Sequence, residues 1–131
     1  MDLSAAVSEI RASIPDLVAV YLFGSTARGD ENRDSDLDLA VLGRKRIASD
    51  ARFELSVRLA EKLRLPVDLI DLRAASAVFR IQILKDAEIL DDADPNARAE
   101  FECFAFADYA RLNEERAGIL EDVHRTGRVH G

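Results

Sequence analysis

Two aspartates separated by one residue, Asp36 and Asp38, follow the dipeptide Gly24-Ser25 with ten residues between. The segment 36–42 (DLDLAVL) reads as a strand. Alternation then puts both carboxylates on one face, roughly 7 Å apart, and turns Leu37, Leu39 and Val41 to the other. Two carboxylates on one face repel and are costly to desolvate unless a cation lies between them. The strand supplies no cation of its own, so that face is open to solvent or holds a metal. A third carboxylate is available in 67–72 (VDLIDL), where Asp68 shares a face with Ile70 and Leu72 and Asp71 lies with Val67 and Leu69. We select Asp68, which is early in the strand and away from the loop that follows. Three convergent carboxylates suit hard, oxygen-seeking ions, above all Mg2+. Two such ions about 4 Å apart are the apparatus of in-line phosphoryl or nucleotidyl displacement: one activates the attacking hydroxyl, the other steadies the triphosphate and the departing pyrophosphate.

Gly24-Ser25 complements the acids. A residue without a side chain lets backbone approach a phosphate at unusual angles, and the Ser25 hydroxyl and neighbouring amides can donate to phosphate oxygens. No Gly-Lys-Ser/Thr follows, so this is not a P-loop. Arg28 is read either as a further phosphate contact or as the loop partner of Asp30. Blander readings hold elsewhere. A lone D-x-D is commonly a solvated edge, Arg80 is expected to be a solvated arginine, and His124 and His130 read as tail residues. Cys103, in the apolar stretch 101–106, reads as a buried small residue.

Strands and helices must deliver these groups. A helix over about 3–12 precedes a buried strand, 17–23 (LVAVYLF), and a polar loop, 24–35, with room for a turn of helix. The second strand is expected to pair antiparallel with the first, because the connection is too short for a crossover helix. Ser49 or Asp50 caps a helix to about Leu63, with Phe53, Val57 and Ala60 as its apolar stripe and Leu59 and Leu63 beside it. Pro66 admits the third strand. A helix over about 75–85, a short edge strand at 88–90 and a long last helix, about 97–125, complete the order. The stripe of that helix (Phe101, Phe104, Ala105, Leu112, Ile119, Leu120, Val123) is read as core packing first. The whole is a small α/β (α+β) fold with a mixed sheet of three to four strands flanked by helices.

The chain has 131 residues, read as one domain over 1–131, with 48% hydrophobic and 33% charged residues, which excludes a disordered chain. A net charge of −7 argues against direct nucleic-acid binding, which needs an excess of Lys and Arg. One cysteine allows no internal disulfide. With no apolar run long enough for a bilayer and no signal-like start, no membrane association and a cytoplasmic location are expected.

The string GSTARG…SDLDLAVL resembles the DNA polymerase beta-like nucleotidyltransferase superfamily, and in particular its minimal members, the MNT antitoxins of HEPN–MNT toxin–antitoxin pairs. VDLIDL followed by a helix and EIL matches the same pattern, so the resemblance runs from the first strand to the final helix. It implies that Asp36 and Asp38 bind two Mg2+ ions and that Asp68 helps bind the catalytic ion and draws a proton from the nucleophile. Gly24 and Ser25 would hold the triphosphate. The implied reaction is transfer of AMP from ATP to a tyrosine of a HEPN ribonuclease toxin, which silences it. Two other activities fit less well: an antitoxin that only masks its toxin by binding, and a small-molecule (antibiotic) nucleotidyltransferase. The missing substrate domain argues against the latter and favours a protein substrate presented by a docked partner.

Overall fold

The computed structural model describes residues 2–24 and 36–126, with side chains as far as Ile119. In chain order the elements are α1 (Ser4–Ser13), β1 (Leu17–Phe23), β2 (Leu37–Gly43), α2 (Ser49–Leu63), β3 (Val67–Asp71), α3 (Ala77–Leu84), β4 (Glu88–Asp92) and α4 (Pro95–Thr126). The strands form one mixed sheet in the order β3-β2-β1-β4. β1 pairs antiparallel with β2 and β4, whereas β2 and β3 are parallel, joined by α2 as a crossover.

Both central strands are buried on both faces over most of their length; β1 reads accordingly as a continuous apolar run, whereas β2 carries the half-buried Asp38 near its start. On one face Val20, Leu22, Leu37, Leu39, Val41 and Leu69 pack under α1 and α2 through Ile10, Leu55 and Leu59. On the other, Ala19, Tyr21, Ala40, Leu42 and Leu72 pack under α3 and α4 through Ile83, Phe101 and Ala105. Among the described residues no helix is long and apolar enough to cross a membrane.

The structure corrects the expected helix faces. α2 buries Leu55 and Leu59, leaving Phe53 63% exposed and Val57 also outward. The two pairs share the i,i+4 spacing, so periodicity alone does not choose between them. The sheet decides: Arg52, one turn before Leu55, donates from Nη1 to the Leu69 carbonyl at 2.9 Å, closing the outer edge of β3. The N-cap is Ala48, with no side-chain cap, so Ser49 and Asp50 lie inside the first turn. There Asp50 favours the positive end of the helix dipole. Among the described side chains of α4 the buried ones are Phe101 and Ala105, in its first turns; Phe104 and Ile119 are outward and Leu112 half-buried. As far as Ile119 the stripe is therefore core over a short stretch, and the side chains of Leu120, Val123, His124 and His130 lie outside the described residues. Cys103 is exposed, contrary to its apolar neighbourhood, because two residues on from Phe101 the helix has turned away from the sheet.

Candidate active site

β1 ends at Phe23, whose Cα partner in β2 is Asp38. On its other side Asp38 is in register with Asp68 of β3. One row across the end of the sheet thus carries two carboxylates on adjacent strands, about 4.8 Å apart in the hydrogen-bonding direction. The alternation around them is enforced by the core. Ala40 and Leu42 of β2, Ile70 of β3 and Leu72 directly after that strand face α3 and α4, whereas Leu37, Leu39, Val41 and Leu69 face α1 and α2. A slip of one residue would reverse all of these. Asp36 lies just before β2 and is exposed. It is placed by Leu37, whose N–H donates to the Pro66 carbonyl at 2.9 Å and so ties this segment to the start of β3. Asp38 is half-buried and Asp68 exposed.

Gly24, directly after β1, has φ +75°, a conformation that L side chains rarely adopt. A Cβ there would lie 3.0 Å from Asp38 Cγ and overlap Asp38 Oδ2. Glycine therefore lets the backbone at the strand end lie directly against the carboxylate. Ser25, Arg28 and Asp30 lie outside the described residues.

The donor set suits a hard cation: three carboxylates from two strands and the segment leading into one of them. Among the described residues neither Asp36 nor Asp68 is in an ion pair. The convergence expected from sequence is nevertheless incomplete, since no group of three or more His, Cys, Asp or Glu side chains is gathered as a ligand cluster among the described residues. Mutual repulsion of like charges opposes such gathering until a cation enters.

The second acid of β3 has a different task. Asp71 is 4% exposed and accepts from Ile47 N–H at 2.8 Å and Arg73 N–H at 3.0 Å, bracing the loop after β2 against the end of β3. Its parity with Val67 and Leu69 was the signal for this inward role. Replacing Asp71 by alanine strands two buried donors and is expected to cost about 3 kcal/mol, read as a lower urea midpoint. Arg80 is not the solvated arginine expected: its Nε donates to the Leu72 carbonyl at 2.8 Å and its Nη2 to that of Arg73 at 2.9 Å. Tyr21, two residues before Phe23 on the same face, is buried and donates its hydroxyl to Glu102 Oε1 at 2.8 Å. Burial, then the bond to Glu102, pushes its phenol far above the ordinary value, so it stays protonated and serves the core.

This geometry agrees with what the chain is similar to. The family described as polymerase beta, nucleotidyltransferase, matches residues 6–96. The chain belongs to this family. A protein adenylyltransferase of Shewanella oneidensis, MntA, is 38% identical over 114 residues, covering 87% of this chain and 81% of the relative. A solved toxin–antitoxin complex with AMP-PNP contains a chain that superposes with a TM-score of 0.83 at 35% identity, covering 95% of this chain and 99% of that one. A complex of the tri-AMPylated HEPN toxin of Shewanella oneidensis with its MNT antitoxin matches with a TM-score of 0.75 at 33% identity, covering 92% and 93%. The polymerase beta-type nucleotidyltransferase fold expected from the sequence is therefore the fold of this chain. Its match begins within α1, includes all four strands and ends at the start of α4, so it contains the whole row from Phe23 to Asp68.

Proposed function

We propose that this chain is a Mg2+-dependent protein adenylyltransferase that acts as an antitoxin, moving AMP from ATP to a tyrosine of a cognate HEPN-type toxin and silencing it. The observation that carries this reading is the junction of Gly24 with Asp38, and of Asp38 in register with Asp68, in a chain 38% identical to a protein adenylyltransferase. The related complexes with AMP-PNP and with an AMPylated HEPN toxin support the nucleotide and the partner. In this reading the chain works as one minimal nucleotidyltransferase unit over 1–131, in the cytoplasm, where ATP and toxin meet.

Asp36 and Asp38 would hold both metal ions, with Asp68 joining at the catalytic one. Bound Mg2+ supplies charge neutralisation along the triphosphate and acidifies the attacking hydroxyl. Gly24 admits backbone amides to the phosphates, and Ser25 and Arg28 add donors there. The tyrosine oxygen forms a bond to the α-phosphorus as the bond from that phosphorus to the bridging oxygen of the β-phosphate breaks. Pyrophosphate leaves with the electron pair, and Asp68 takes the tyrosine proton.

Incubated with Mg2+, ATP and folded toxin, the purified chain should give toxin heavier by one or more AMP groups in intact-mass spectra. An unmodified toxin under these conditions overturns the reading. Label appearing instead on a small hydroxyl compound would move the chain to the antibiotic-modifying type.

A further inference from the structure

At the other end of β2, about 16 Å along the strand from Asp38, a second concavity opens between the sheet and α4. Its volume is about 460 Å³, and Arg44, Arg73, Arg80, Glu100, Phe101 and Phe104 shape it. In a chain of net charge −7, three arginines in one cleft are a local exception. Arg44 is bonded to Asp94. Arg73 and Arg80 are half-buried and, among the described residues, have no carboxylate partner.

Backbone and ring hold them instead. Arg73 Nε donates to the Gly43 carbonyl and Arg80 donates to those of Leu72 and Arg73. Both guanidinium carbons stand 5.2 Å from the centre of the Phe101 ring. These contacts fix two planar forks and leave further N–H donors on each for an acceptor. Phe104, 64% exposed, stands at the mouth. A fixed arginine beside an exposed aromatic is the composition of an interface anchor.

We propose that this cleft is a docking pocket for the protein substrate, taking an acidic side chain flanked by an apolar one from the toxin surface, away from the catalytic carboxylates. The proposal rests on the adenylyltransferase reading only for the identity of the partner. The carboxylate meets Arg73 and Arg80, and the apolar neighbour lies on Phe104. Glu100, exposed on the rim, disfavours a polyanion, so one carboxylate matches the charge better than a triphosphate does. A remote anchor also suits the chemistry. The related toxin is tri-AMPylated. Successive transfers require the acceptor to advance past the catalytic acids while the substrate stays held, and a hold at the far end of the sheet permits that.

The test uses Arg44→Glu and Phe104→Asp, singly and together, because both side chains are mostly exposed and Arg73 and Arg80 support backbone. Toxin binding is measured by calorimetry without ATP, and AMP-PNP binding with Mg2+ is measured in parallel. The combined variant should bind toxin about 30-fold more weakly, at roughly 1 kcal/mol per anchor, with AMP-PNP affinity within about two-fold of the parent. Toxin affinity equal to the parent's overturns the proposal. So do parallel losses of toxin and AMP-PNP affinity, or AMP or inorganic phosphate filling the cleft without displacing toxin. If the parent chain binds toxin, the variant does not, and no AMP is ever transferred, the docking site stands and the adenylyltransferase reading falls.

Discussion

Exchange of both Asp36 and Asp38 for alanine is expected to lower AMP transfer to the toxin by at least about 10³-fold. In the proposed mechanism several kcal/mol of transition-state stabilisation would depend on cations held at these carboxylates, and each 1.36 kcal/mol is a factor of ten in rate. The fold has little reason to change. Asp36 is exposed and Asp38 half-buried, and the two apolar cores are built from other residues. Removing one of two facing carboxylates also relieves repulsion between β2 and β3. The measurement is intact-mass spectrometry of the toxin beside thermal melting of the variant. Cells carrying the toxin should be rescued by the parent chain and not by the double variant. Rescue by the double variant, with no AMP on the toxin, would mean that the chain works by masking.

The second large effect is expected at Gly24. Alanine there meets two penalties. The left-handed backbone, φ +75°, costs about 1–2 kcal/mol for a residue with a Cβ. The new methyl would also occupy the position of Asp38 Oδ2. The end of a short side chain can yield, so the protein should fold with a modest loss of stability, but the yielding group is the carboxylate assigned to the metals. Transfer is expected to fall about 100-fold, a loss that urea titration would not predict. An activity matching the parent's would show that Gly24 makes no functional contact with Asp38. The outcome separates a strained turn from a mechanistic one, because a purely conformational role would lower stability and activity together.

Much of this arrangement was legible from residue types and spacing. β1 announced itself as a continuous apolar run and β2 by its alternation, and the short stretch between them forced an antiparallel pair. Period-two alternation in DLDLAVL and VDLIDL placed Asp38 and Asp68 on the α3/α4 face and Asp71 on the other, as found. Less legible were properties set by tertiary partners. Phe53 with Val57 and Leu55 with Leu59 satisfy the same helical spacing, and only the docking of Arg52 on the edge of β3 chooses between them. Cys103 was misjudged because its neighbours in sequence are not its neighbours around the helix. The arginine cleft had no sequence signal, since Arg44, Arg73 and Arg80 come from three separate segments, Arg44 held by Asp94 and the other two oriented by carbonyls that no side-chain pattern reveals. Among the described residues Asp36, Asp38 and Asp68 are not gathered into one ligand set; whether like charges close on a cation depends on charge balance, which residue spacing does not encode.

Asp68 and Asp71 lie three positions apart on one strand and point to opposite sides of the sheet. The alignment of β3 sets which of them stands in the row with Asp38, where the proposed nucleotide site lies. The stitch from Asp71 to Ile47 and Arg73 guards that alignment. A screen that scores turnover alone would therefore rank Asp71 with Asp68, though its carboxylate is buried and bonded to backbone on the opposite face of the sheet. To the stitch itself Ile47 and Arg73 contribute backbone rather than side chain, so substitution there leaves its donors in place. The role proposed for one acid would thus depend on the mechanical duty of another.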